Sequence, residues 1–106
     1  MTAMFVAVST YTKALDDVDA TREQHLKWIA EQYDSGHLLV SGRRSPATGG
    51  VIVGRAADLA AFRDLLSDDP FVQNGLAQYD VVEFEPTAAA LETPGFAAFV
   101  GAGQRR

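Results

Sequence analysis

His25 and Asp69 are the two residues of this chain best suited to chemistry near neutral pH. An imidazole moves protons in the physiological range, and a carboxylate beside it orients the ring and supplies a fixed charge. His25 stands in Arg22-Glu23-Gln24-His25, and Asp69 opens Asp69-Pro70-Phe71. With two histidines and no cysteine in 106 residues, the alternatives are few. The lack of cysteine removes thiol nucleophiles, thiolate metal sites and disulfide frameworks together. His37 follows Gly36 without a partner at metal-ligand spacing, so it reads as a surface residue and zinc is not expected. Gly49-Gly50 lies in neither a G-x-G-x-x-G nor a Walker pattern, so no nucleotide cofactor is expected either.

Each candidate also has a plainer reading. An Asp before Pro at a helix start is a common cap. The two roles of Asp69 are compatible, since one oxygen can cap while the other orients His25. His25 itself also reads as a half-buried ring satisfied by a backbone carbonyl. Arg22, one turn earlier, suits bidentate recognition of a carboxylate or phenolate, or simply pairs with Asp19 or Glu23 at the surface. Ser41 is placed to hydrogen-bond a substrate oxygen, or is only a strand-end serine. It lacks the G-x-S-x-G elbow and is no nucleophile. Tyr11 sits where it would line the same cavity. Trp28 either walls that cavity or covers the helix. Asp68, the competing carboxylate, reads as solvated.

The elements that must position these residues follow from patterning. Residues 4–11 are strand formers, apolar on both sides of the alternation. Asp16-Asp17-Val18-Asp19 reads as a turn, and Thr21 with Gln24 has capping-box spacing, so a helix is expected to open at Thr21. Leu26, Ile29, Ala30 and Tyr33 give it an apolar stripe, and Gly36 is its natural left-handed end. His25 would then lie near the positive helix end, where a neutral, proton-accepting imidazole is favoured. Leu38 to Gly42 is a second strand, Arg43 to Gly50 a turn-rich loop, and Val51 to Val53 a third strand stopped by Gly54. Ala56 to Leu66 is a second helix with Leu59, Phe62 and Leu66 inward. Asp69-Pro70 starts a short helical turn closed by Gly75, and Gln78 to Glu85 is a fourth strand.

This order, β-α-β-β-α-β, predicts a ferredoxin-like α+β fold over residues 1–86, with an antiparallel sheet and both helices on one face. Residues 87–106 form an extension whose apolar segments would dock on the domain or its partner, with a loose end. Hydrophobic residues make up 47% of the chain and charged residues 22%, enough for a core without staples. The first and third strands are apolar on both faces, so a homodimer packed sheet to sheet is expected. The net charge of −5 and the scattered basic residues argue against nucleic acid. No apolar run approaches the roughly 20 residues that span a bilayer. The N-terminus reads as a strand and not a leader, so a cytoplasmic location is expected.

Taken together, Arg22-x-x-His25, Gly36-x-Leu38-Leu39-x-Ser41-Gly42, the Gly49-Gly50 turn before Val-Ile-Val, Asp69-Pro70-Phe71, Gly75, and the strand from Tyr79 to Phe84 with Pro86 resemble the YCII-related (YciI-like) family. The resemblance implies a dimeric α+β barrel with a pocket between sheet and helices. It also implies a His-Asp dyad carried by His25 and Asp69. One relative is similar to a dehydrochlorinase of aromatic degradation, and the wider superfamily includes muconolactone isomerases. Arg43 departs from the family's frequent Pro after Ser-Gly, and the C-terminal extension is long; both alter the pocket rim. The expectation is a cofactor-independent lyase or isomerase that transfers protons on a small cyclic or aromatic metabolite. Its alternatives are a non-catalytic dimeric module that binds a small molecule or a protein, and a cofactor-independent oxygenase.

Overall fold

The first helix is longer than the sequence signals suggest, and this sets the position of the site. In the computed structural model, which describes residues 3–87 with Gly95 and Phe99, α1 runs Leu15–Asp34. The acidic stretch expected as a turn is helical, and Thr21 lies inside the helix. Val18 explains the extension. It is fully buried against Phe71, Leu76 and Ala77, so tertiary packing holds a first turn whose N-cap, Ala14, makes no side-chain cap. Asp16 and Asp17 then face the positive helix end, where acidic charge is favourable. The C-terminal end follows expectation: Gly36 adopts φ +82° just past Ser35.

Four strands alternate with the helices: β1 Ala3–Tyr11, β2 Leu38–Arg43, β3 Gly50–Ala56 and β4 Ala77–Phe84. They form one antiparallel sheet in the order β2-β3-β1-β4. Gly54 does not stop β3. It lies within the strand, where a Cβ would meet His37 O at 2.6 Å, so only glycine fits. Helix α2 spans Leu59–Ser67 and opens three residues later than expected, because Asp58 caps it by accepting from Ala61 N–H at 2.8 Å. The short α3, Pro70–Gln73, has Asp69 as N-cap and Pro70 in its first turn. This is the ferredoxin-like α+β arrangement.

Side-chain parity divides the sheet. Phe5, Ala7, Leu38, Ile52 and Ala56 face the helices and pack with Trp28, Phe62 and Leu66 into the main core. Phe5 and Phe62 stack with centroids 4.5 Å apart. A smaller cluster of Val18, Phe71, Leu76 and Ala77, with Tyr11 against it, closes the end of the sheet where β1 finishes. On the opposite face, register aligns Val40, Val53, Val6 and Val82 across all four strands. Val40 is 53% exposed and Val82 62%. Most of residues 87–106 lies outside the described residues. Phe99 does not: its carbonyl accepts from Arg55 Nη1 at 2.8 Å, and the guanidinium stands 4.1 Å above its ring. Among the described residues no helix is long and apolar enough to cross a membrane.

Candidate active site

Asp69 is the anchor of the site. Its side chain is fully buried, and both oxygens are used as acceptors. Oδ1 accepts from Phe71 N–H at 2.9 Å, capping α3. The same oxygen is 2.7 Å from His25 Nδ1, across 44 residues of sequence. Oδ2 accepts from the Tyr79 hydroxyl at 2.6 Å. The expected division, one oxygen for the cap and one for the histidine, is therefore corrected: Oδ1 serves both, and Oδ2 belongs to Tyr79. Three donors offset the cost of placing this carboxyl group out of water. Asp68, its neighbour, is exposed.

His25 is presented by the middle of α1, ten positions beyond Leu15. The expectation that it sits near the helix's positive end is overturned, since end effects fade within the first turn. What fixes the ring is contact. It stacks on Phe71 with centroids 4.0 Å apart and planes 7° apart, while Nδ1 meets Asp69. With a carboxylate accepting at Nδ1, that nitrogen carries the proton in the neutral ring. Nε2 then keeps its lone pair. The side chain is 16% exposed, and it lines a cavity of about 270 Å³.

That cavity lies between α1 and the sheet, where β1 and β2 end and β3 begins. Apolar groups from Ile29, Val51, Ile52 and Phe71 form much of its wall. Gly49 closes one side. A Cβ there would fall 1.9 Å from Ser9 O, so any other residue would push β1 away. Ser9, buried, accepts from Gly50 N–H at 2.8 Å and keeps the strands in register beside it.

The other residues singled out from sequence divide. Tyr11, Arg22 and Ser41 line the cavity. Tyr11 meets Phe71 edge-on at 5.9 Å. Arg22 donates through Nε and Nη2 to Asp19 Oδ1, at 3.1 and 2.7 Å. Asp19 above all, and then nearby Tyr11, hold its guanidinium in the charged form. Ser41 shares a 2.7 Å hydrogen bond with Tyr33 of α1. Trp28 is a correction. It is one of the buried residues of the main core and not of the cavity lining, with its ring tilted 6.0 Å from His25. The helix turns the residue three positions after His25 toward Phe62 and Leu66, where an aromatic of this size buries most area.

Tyr79 was missed by sequence reasoning. Burial first, then the negative charge of Asp69, pushes its phenol well above the usual tyrosine range, so it stays a donor to Oδ2. Strand parity was the available signal. Tyr79 pairs with Ser9 in register and shares the helix-facing side with Val81, facing the element that carries Asp69. Among the described residues no three His, Asp or Glu side chains converge as metal ligands.

Comparison with known proteins places the fold and the family. A solved structure similar to this chain is 5-chloro-2-hydroxyhydroquinone dehydrochlorinase from Burkholderia phenoliruptrix AC1100, in complex with 2,5-dihydroxybenzoquinone. Its TM-score is 0.67 at 16% identity, covering 76% of this chain and 92% of that one. At that identity the likeness carries the fold alone. SnoaB, a cofactor-independent oxygenase from Streptomyces nogalater, aligns with a TM-score of 0.45 at 18% identity, over 88% of this chain and 97% of that one, too remote to bear on either fold or chemistry. No curated protein sequence matches. The family model of the YCII-related domain matches residues 3–85, nearly the whole described region, and the chain belongs to that family.

Proposed function

We propose that this protein is a cofactor-independent enzyme of lyase or isomerase type that moves protons on a small cyclic or aromatic molecule. The observation that carries this reading is the 2.7 Å contact between His25 Nδ1 and a fully buried Asp69, with the imidazole at the wall of an open cavity. Asp69 orients the ring and stabilises the imidazolium that forms. Nε2 takes a proton from a carbon or hydroxyl of the substrate. In an elimination, the electrons of the broken C–H bond form the new double bond, the leaving group departs with its own pair, and imidazolium returns the proton to solvent. In an isomerisation, the same proton is delivered to another carbon. The dehydrochlorination named for the structural neighbour is an elimination of this kind.

Arg22, Ser41 and Tyr11 hold polar groups of the substrate from the cavity wall. Trp28 acts from behind, as packing under α1. The valine row on the sheet face opposite the helices, exposed at Val40 and Val82, supports pairing with a second copy of the chain, and light scattering of Val82→Asp against the parent protein tests that pairing.

The test of the activity is solvent-deuterium incorporation, together with halide release, over a panel of halogenated hydroquinones, enones and lactones. A turned-over compound should lose about 10²–10⁴-fold in rate with His25→Ala, the usual contribution of one acid–base group. Equal rates in parent and variant would overturn the proposal. Binding without turnover across the panel would favour the non-catalytic module.

A further inference from the structure

The cavity carries a charge imbalance that the dyad does not use. The chain as a whole is acidic, with 14 Asp and Glu against nine Lys and Arg. The cavity lining nevertheless contains two arginines, Arg22 and Arg43, and no Asp or Glu. Two of its three cationic or potentially cationic groups have a carboxylate partner: Arg22 has Asp19, and His25 has Asp69. Among the described residues no carboxylate pairs with Arg43.

Register explains why Arg43 points to this space. It is the last residue of β2 and shares the helix-facing side with Ser41. Its partner across the strands is Gly50, which has no side chain to fill the gap. The adjacent Arg44 is used differently. Its Nη1 donates to Ser9 O at 3.2 Å and Thr10 Oγ1 at 3.1 Å, strapping the loop to β1. Of two neighbouring arginines, one is tied to the scaffold and the other stands over an acid-free cavity with apolar walls.

We infer that the cavity selects an anionic cyclic or aromatic ligand, bearing a carboxylate or phenolate, and that Arg43 is the residue that selects the charge. This rests on the cavity being the substrate site proposed above. The apolar groups of Ile29, Val51, Ile52 and Phe71 take the ring, and the guanidinium takes the anion in bidentate fashion. Arg43 is exposed at the end of β2, and the anion supplies the carboxylate that the lining lacks.

The probes are 2,5-dihydroxybenzoate and its neutral amide, which share shape and differ in charge. Binding is read from amide shifts of Ser41, Gly42 and Gly50 in the ¹⁵N-labelled full chain, with the same spectra reporting that each variant is folded. We expect the acid to bind about tenfold more tightly than the amide, as a charge-assisted pair would give. Arg43→Gln should weaken the acid by about the same factor, leave the amide within about twofold, and be partly rescued by Arg43→Lys. Equal affinity for acid and amide, or equal weakening of both by Arg43→Gln, would overturn the charge selection while leaving the cavity a binding site. If neither compound moves those amides, the cavity reading itself fails, and the selection with it.

Discussion

The two histidines make the same hydrogen bond in two different regions. His25 Nδ1 lies 2.7 Å from Asp69 Oδ1, and His37 Nδ1 lies 2.7 Å from Ser35 Oγ. Bond length does not separate them; surroundings do. Asp69 is fully buried, held by Phe71 N–H and Tyr79 O–H, behind an imidazole that itself lines the cavity. Ser35 is exposed in the turn after α1, and its hydroxyl donates to Gln32 O at 3.0 Å. A serine whose proton is already committed accepts from His37 only as long as its rotamer stays put, with water competing. A carboxylate fixed by two other donors, beneath a ring stacked on Phe71, leaves His25 one orientation. The difference teaches that the second contact of the partner, more than the first contact of the histidine, fixes the ring's orientation.

The comparison is broken most severely at Asp69. Asp69→Ala removes the α3 cap, leaves the Tyr79 hydroxyl without its acceptor and frees His25, so we expect a loss of about 2–4 kcal/mol in urea unfolding. His37→Ala should stay within about 0.5 kcal/mol, as surface changes do. Equal losses would mean that the two regions are equivalent after all. His25→Ala is expected to cost about 1–2 kcal/mol, since Asp69 loses one donor and Phe71 its stacked partner, while keeping the fold and its spectra.

Tyr79→Phe sharpens the comparison further, because it leaves both bonds of Oδ1 in place. We expect about 1 kcal/mol at neutral pH. The larger signature is in alkali. Folding raises the Tyr79 phenol above its ordinary value of 10.0, so the folded state holds a proton that the unfolded state releases. The stability from this group is complete below pH 10.0 and declines as pH rises beyond it. Unfolding curves taken on either side of that value should show the decline in the parent protein and a shallower one in Tyr79→Phe. Parallel curves would place Tyr79 outside the buried network.

The strand and helix order could be read from the sequence because each element carries its own periodicity and punctuation. Gly36 and Gly75, at φ +82° and +68°, end helices as glycine uniquely permits, and Asp69-Pro70 opens one. The start of α1 could not be read, because nothing local marks it. Ala14 offers no cap, and the deciding residue, Val18, is buried by partners more than fifty positions away. Capping-box spacing at Thr21 was a local match without a helix end to cap. The nearness of His25 and Asp69 came from family resemblance, not from spacing, since 44 residues separate them. The role of Tyr79 and the choice between the two readings of Trp28 were out of reach for one reason. Their roles depend on which side of a strand or helix meets α3 or the core, and only the assembled sheet fixes that.

The central claim is that Asp69 holds His25 with its proton on Nδ1 and its lone pair on Nε2. Long-range ¹H–¹⁵N correlation spectra of the imidazole nitrogens, recorded above the titration range of both histidines, test it most directly. We expect His25 as the Nδ1–H tautomer, changing in Asp69→Asn, with His37 unaffected by that substitution as internal reference. A His25 spectrum of the Nε2–H tautomer, or one that Asp69→Asn leaves unchanged, would contradict the claim and remove the base from the proposed chemistry.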